Sequence, residues 1–144
     1  MRLVVDANIL VGELIRGRGR KLIARSELEL YMAEKAWDET IYELNKRIEK
    51  MIGRGVFSSS VGKNLLFDAI ALAEARVAIV PHFVYSDYET VARKRIPRDP
   101  NDWFTVALAL TLGAAIWTLD NDFLGCGIAT WTTDTLLTHL NNAS

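Results

Sequence analysis

Ala114-Ala115-Ile116-Trp117-Thr118-Leu119-Asp120-Asn121-Asp122 is an apolar run that stops at two carboxylates. Leu3-Val4-Val5-Asp6-Ala7-Asn8 repeats the arrangement near the N-terminus. Apolar residues that are continuous rather than alternating mark strands buried on both faces, as in a parallel sheet. Strands of that kind end at one edge of the sheet, so Asp6, Asp120 and Asp122 are expected in a shared crevice. Two further acidic patches belong to the same picture. They are Glu39 in Trp37-Asp38-Glu39-Thr40 and the pair Asp99 and Asp102 in Arg98-Asp99-Pro100-Asn101-Asp102-Trp103. Two unit charges about 4 Å apart repel by roughly 4 kcal/mol at an effective dielectric near 20. A crevice holding several carboxylates therefore calls for a hard cation or for retained protons.

Between these motifs the chain alternates strand-like and helix-like segments. Strands are expected at Leu3 to Asp6, Leu28 to Met32, Val77 to Val80 and Ala114 to Leu119, with a short run at Ile128 to Trp131. Helices are expected from about Ile9, over Leu22 to Ser26, and from about Glu34 to Ile52, closed by Gly53 and Gly55. Trp37, Ile41, Leu44, Ile48 and Met51 form the apolar stripe of the long one. Ser58, Ser59 and Ser60 offer N-caps for a helix carrying Leu65, Leu66, Ala69, Leu72 and Ala73. Further helices follow at Asp87 to Arg95, from near Asn101 to Leu112 with Gly113 as its stop, and from about Thr133. The stretch Arg16-Gly17-Arg18-Gly19-Arg20-Lys21 reads as a glycine-broken loop or frayed turn. Strands alternating with helices imply a parallel sheet covered on both faces. No repeat or linker divides the chain, so residues 1–144 are expected to form a single domain.

The chain has 144 residues, half of them apolar, and a net charge of −1. Affinity for nucleic acid must then come from local patches rather than a global field. The single cysteine, Cys126, forms no intrachain disulfide, which fits a reducing compartment. No signal peptide or membrane span is legible, so a cytoplasmic location with no membrane partner is the default. His82 and His139 stand in no zinc-ligand spacing, and no Ser-His-Asp, P-loop or dinucleotide fingerprint is present.

Each acid also has a plainer reading. Asp6 can cap the helix that follows it. Asp99 can be an N-cap with Pro100 at the first helical position and Asp102 in the first turn. Asp120 can close an Asx turn. Glu39 lies nearly opposite the Trp37-to-Met51 stripe, where a solvated glutamate belongs, and Glu43 shares its face.

Taken in order, Val4-Val5-Asp6-Ala7-Asn8, an acid in the helix after the second strand, Asp99-Pro100-Asn101-Asp102-Trp103 and Trp117-Thr118-Leu119-Asp120-Asn121-Asp122 resemble a PIN domain from Leu3 to about Leu140. That family includes the toxin ribonucleases of toxin–antitoxin pairs. The resemblance implies a three-layer α/β/α sandwich with a central parallel sheet, related to the 5′-nucleases. It implies catalytic roles for Asp6, Glu39, Asp102 and Asp120, with Asp122 as an additional metal-binding acid. Asn8 and Thr118 become polar helpers, Asp99 either a further acid or only the cap of its helix, and Glu43 a rival of Glu39. The cofactor would be Mg²⁺ or Mn²⁺, which prefer all-oxygen ligands. The partners would be RNA and an antitoxin protein, with room for a homodimer.

Cations for the substrate backbone are expected at Arg16, Arg18, Arg20, Lys21 and Arg25 and at Arg93, Lys94, Arg95 and Arg98. Lys46, Arg47 and Lys50 read instead as an ordinary solvated face. The leading expectation is a metal-dependent endoribonuclease. A catalytically silent module binding RNA or protein is the alternative. A phosphoacceptor receiver domain would need a lysine after a late strand, and Trp117-Thr118-Leu119-Asp120 supplies none.

Overall fold

The computed structural model describes residues 1–142. Five strands form one parallel sheet: β1 (Arg2–Val5), β2 (Glu29–Ala33), β3 (Val77–Val80), β4 (Ala115–Trp117) and β5 (Thr130–Trp131), in the order β3-β2-β1-β4-β5. The helices are α1 (Ala7–Ile15), α2 (Gly17–Ile23), α3 (Glu34–Gly53), α4 (Ser59–Arg76), α5 (His82–Tyr85), α6 (Glu89–Arg95), α7 (Trp103–Leu112) and α8 (Thr133–Asn142). From β1 the chain steps outward through β2 to β3. It then returns to β4 on the other side of β1 and steps outward again to β5. The strand order reverses between β1 and β4, and open α/β sheets place their ligands outside the carboxyl ends at such a point.

Helices α1 to α4 pack on one another, while α7 packs against β1, β2 and β4 and carries α5 and α6. The result is the expected three-layer α/β/α sandwich. Leu3, Val4, Val5, Ile116 and Trp117 are fully buried between the layers, as continuous apolar strands must be. α7 is buried nearly all round from Trp103 to Ala109, which makes it the central helix of its layer. Gly113 ends it in the left-handed conformation at φ 61°. Ser58 caps α4 by accepting a hydrogen bond from the Val61 amide at 3.2 Å.

Two local expectations are corrected. The glycine-broken segment from Arg16 is helical, because α2 begins at Gly17 directly after an extended corner at Arg16. Its glycine serves close packing. A Cβ on Gly19 would collide with the backbone oxygen and side chain of Glu13. Arg20 then folds back and donates to the carbonyls of Leu14 and Ile15 at 3.0 and 2.9 Å, closing the open end of α1. The second correction concerns α3. Its buried face is Ala36, Thr40, Leu44 and Ile48, displaced one residue from the apolar stripe at its start. Thr40 can sit in the core because its hydroxyl donates to the Ala36 carbonyl at 2.8 Å.

Gly19→Ala is expected to destabilise the fold by about 3 kcal/mol, the upper end for overpacking, since the obstacle is backbone. At roughly 2–4 °C per kcal/mol this lowers the melting temperature by about 6–12 °C. Gly17→Ala, whose Cβ would meet only the Arg20 side chain at 3.9 Å, should leave it unchanged or raise it slightly. Equal melting temperatures for the two variants would contradict the close-approach account.

Candidate active site

The site is assembled by register. Val5 of β1 pairs with Trp117 of β4, and the Asp6 amide donates to the Trp117 carbonyl at 3.0 Å. Asp6 and Thr118 therefore leave the sheet side by side. The Thr118 hydroxyl donates to Asp6 Oδ2 at 2.9 Å and accepts from the Asp120 amide, also at 2.9 Å. Thr118 is 3% exposed, so its one hydroxyl holds the two strand ends together out of bulk water. Asp120 Oδ1 accepts from the Asp122 amide at 2.9 Å, which is the Asx-type turn. Asp6, Asn8, Ile9, Leu119 and Asp120 line a pocket of about 280 Å³ at this point.

The remaining acids come from the two flanking layers. β2 runs into α3, which brings Glu39 to the same edge. At 3.6 residues per turn Glu39 lies about 60° from Ala36 and about 100° from Thr40. It stays exposed beside the buried face. On the other side, Asp99, Pro100 and the short 3₁₀ turn Pro100–Asp102 lead into α7. Arg93 braces this turn, donating to the Pro100 carbonyl at 3.2 Å while its guanidinium lies over the Trp103 ring. The Asp99 side chain makes no hydrogen bond that caps the turn.

Electrostatics shows which acids share a field. Burial raises the Asp6 pKa, the Thr118 hydrogen bond lowers it, and the Asp120 charge raises it. No side-chain hydrogen bond caps α1, although the Ala7 and Asn8 amides favour the ionised form of Asp6. Glu39 is raised by partial burial and then by Asp6, with Lys35 opposing and Glu43 and Asp99 adding to the rise. Asp102 is pushed up to about 7 by burial first, then by the charge of Asp99 and its hydrogen bond, and by Asp6 and Glu39. Asp6, Glu39, Asp99, Asp102 and Asp120 thus form one repelling group, with Glu43 at its margin.

The donor set is all carboxylate and hydroxyl oxygen, which suits Mg²⁺ or Mn²⁺. Among the described residues, no three potential ligands meet closely enough to form a ready-made cage. Mg²⁺ commonly takes one or two carboxylates and completes its shell with water, so the acids present fit such an ion.

The cations expected to hold substrate are differently occupied. Arg18 pairs with Asp134 at 3.5 Å, Arg16 with Glu13 at 3.8 Å, and Arg25 with Glu27 at 2.8 Å. Arg20 and Arg93 are committed to backbone carbonyls, as is Arg95, which donates to Cys126 O at 3.1 Å. Arg98 reaches Asp122 at 3.9 Å, a weak exposed pair at the rim of the crevice. Lys21 is exposed on α2. His82 packs edge-on to Tyr85 and Trp103, and His139 lies against Trp131, away from any metal-ligand grouping. Trp103 is a core residue, 3% exposed.

Two residues escaped the sequence reading. Lys35 stands one helical turn before Glu39, with its ammonium 6.0 Å from the Phe104 ring centroid. That spacing was its only visible signal. Glu13 is buried and receives the Thr133 hydroxyl at 3.3 Å, while Thr133 in turn accepts from Trp117 Nε1 at 3.2 Å. A glutamate inside an apolar helix, two turns after Asp6, gives no sequence sign of that partner.

The family model for the PIN domain matches residues 4–141, and the chain belongs to the PIN domain family. PIN domains are generally nucleases and typically use divalent metals. Among solved structures, the crystal structure of FitAcB from Neisseria gonorrhoeae is similar, with a TM-score of 0.54 and 16% sequence identity. The match covers 91% of this chain and 96% of that one. At that identity the likeness establishes the fold alone. No curated protein matched the chain in sequence. Among the described residues no helix is long and apolar enough to cross a membrane.

Proposed function

We propose that this PIN domain is a metal-dependent endoribonuclease that hydrolyses RNA phosphodiester bonds, with Asp6, Glu39, Asp102 and Asp120 as its working acids. The observation that carries the reading is the Asp6–Thr118–Asp120 linkage at the strand-order reversal, inside a group of acids that repel one another. A bound Mg²⁺ or Mn²⁺ would supply charge neutralisation at the phosphoryl oxygens and an activated water.

The protein's part is positional. Thr118 fixes the rotamer of Asp6, so that its other oxygen is left for a cation. Asp120 is held by its own turn and presents its carboxylate from the adjacent strand. Glu39 and Asp102 close the crevice from opposite layers. Asp122 is the additional metal-binding acid at the rim, Asn8 is a polar helper lining the pocket, and Asp99 shares a hydrogen bond with Asp102. Among the described residues, Lys21 and Lys94 are the cations of the expected set without a carboxylate or carbonyl partner, and Arg98 has only its weak exposed pair with Asp122. The family setting suggests the toxin of a toxin–antitoxin pair, with an antitoxin protein as partner.

Incubating the protein with mixed RNA in Mn²⁺ and in chelator tests the reading. Cleavage in Mn²⁺ that stops in chelator and returns when metal is restored is expected. Full cleavage in excess chelator would sink the metal mechanism, and no cleavage under any condition would leave a silent RNA- or protein-binding PIN module. Within the active protein, Glu39→Gln should reduce the rate by about 100-fold, the cost of roughly 2.7 kcal/mol of transition-state stabilisation. Glu43→Gln should reduce it by less than about tenfold. The reverse order would make Glu43 the second acid.

A further inference from the structure

The exposed side of α3 carries a sequence of charges that starts at the crevice. Lys35, Glu39 and Glu43 follow at four-residue steps, and Lys46, Arg47 and Lys50 continue the same side of the helix. Glu39 feels the charges of both Asp6 and Glu43, so the row is continuous with the acidic group. Glu43, Lys46, Arg47 and Lys50 together line a depression of about 130 Å³. α1 packs beside α3 here, and Arg47 Nη1 comes within 3.9 Å of the point where a Cβ on Gly12 would stand. Arg47 therefore lies over the part of α1 where Gly12 has no side chain.

The three cations differ from most other basic residues near the site. No ion pair to Lys46, Arg47 or Lys50 occurs among the described residues, whereas Arg18 and Arg98 have carboxylate partners and Arg20, Arg93 and Arg95 serve carbonyls. Lys46 and Lys50 are also like charges one turn apart, an arrangement that disfavours the helix by a few tenths of a kcal/mol. Tyr42, 65% exposed, lies beside them with the Lys46 ammonium 5.8 Å from its ring centroid. A face of unpaired cations with an exposed aromatic ring fits a single-stranded nucleic acid, whose backbone takes the charges and whose bases stack. At a rise of 1.5 Å per residue, Lys46 and Lys50 stand roughly 10 and 16 Å along the axis from Glu39. Phosphates beyond the one held at the acids would fall there.

We propose that this exposed face of α3 is the track of the RNA substrate, with Lys46, Arg47 and Lys50 on its phosphates and Tyr42 under a base. The assignment rests on the nuclease reading for its substrate class, but the track can be tested by binding alone. The triple variant Lys46→Glu, Arg47→Glu, Lys50→Glu and the single variant Tyr42→Ala are compared with wild type on a fluorescent single-stranded RNA in chelator, across a salt series. The triple variant should bind at least ~30-fold more weakly at low salt, and its log–log salt slope should fall by about 2, near 0.7 for each lost contact on a single strand. Tyr42→Ala should bind about fivefold more weakly or worse with its slope unchanged, because stacking releases no counterions. Unchanged affinity and slope in the triple variant overturn the track, and so does a loss confined to a poly-glutamate peptide, which would mark the face for an acidic protein. Parallel Mn²⁺ reactions keep the two readings apart. Wild-type cleavage with no effect of the triple variant on binding removes the track and leaves the nuclease. Weakened binding with no cleavage by wild type keeps the track and removes the nuclease.

Discussion

Asp6→Asn and Asp120→Asn should each reduce RNA cleavage by at least ~100-fold, about 2.7 kcal/mol of transition-state stabilisation, while the fold survives. Both residues end buried strands on either side of the strand-order reversal, and both touch the Thr118 linkage. Asparagine keeps the size of each side chain and can still accept the hydrogen bonds that Thr118 and the Asp122 amide donate. What it lacks is the charge that a divalent cation needs from its oxygen ligands. Circular dichroism and a melting curve on each variant separate loss of site from loss of structure. A variant that is folded and still cleaves at more than about a tenth of the wild-type rate would remove that residue from the proposed machinery.

The second large effect is on stability. In the metal-free protein the Asp102 carboxyl lies near 7, well above its ordinary value of 3.8, because of burial, then Asp99, Asp6 and Glu39. Asp6 and Glu39 are shifted in the same direction. A raised acid binds its proton more tightly in the folded chain than in the unfolded one. Its contribution to stability is complete below about pH 4 and is lost as pH climbs to about 7 and beyond. The chelated protein should therefore melt at a higher temperature at pH 5 than at pH 8. Asp102→Asn should flatten that dependence and match or exceed wild type at pH 8. Mn²⁺, binding the folded state alone, should raise the wild-type melting temperature at pH 8 by mass action, and raise that of Asp120→Asn less. A wild-type curve in chelator that rises from pH 5 to pH 8 would contradict the shared-field account.

The parts of this molecule that local chemistry decides were open to reading in the chain. Leu3-Val4-Val5 and Ala114 to Trp117 are continuous apolar runs, and only a strand covered on both faces accommodates them. Asp6 follows the first directly and Asp120 comes three residues after the second, so the crevice followed from topology. Pro100 and Gly113 bracket α7 for steric reasons that travel with the residue. Less visible were features that depend on a distant partner. Gly19 looked like a breaker because its reason is the Glu13 backbone on another helix, and Arg20 looked like a free cation because the carbonyls it serves lie at the end of α1.

Glu39 shows how a single polar residue can mislead. Thr40 returns its hydroxyl to Ala36 and so takes a core position that hydrophobicity assigns to Trp37 or Ile41. Glu39 itself stays exposed, yet its place near the end of β2 puts it within the field of Asp6 and Asp99. The cations could not be sorted from sequence at all. Arg18 and Arg47 are equally basic in the chain, and only packing gives one of them Asp134 and leaves the other beside Gly12.

The central claim is that the strand-end acids hold the metal that cleaves RNA, and crystals soaked in Mn²⁺ test its structural half most directly. The account predicts an ion bound by carboxylate oxygens of Asp6 and Asp120, with Glu39 or Asp102 drawn toward it or toward its waters. An ion seated elsewhere, or one bound without either Asp6 or Asp120, would contradict it.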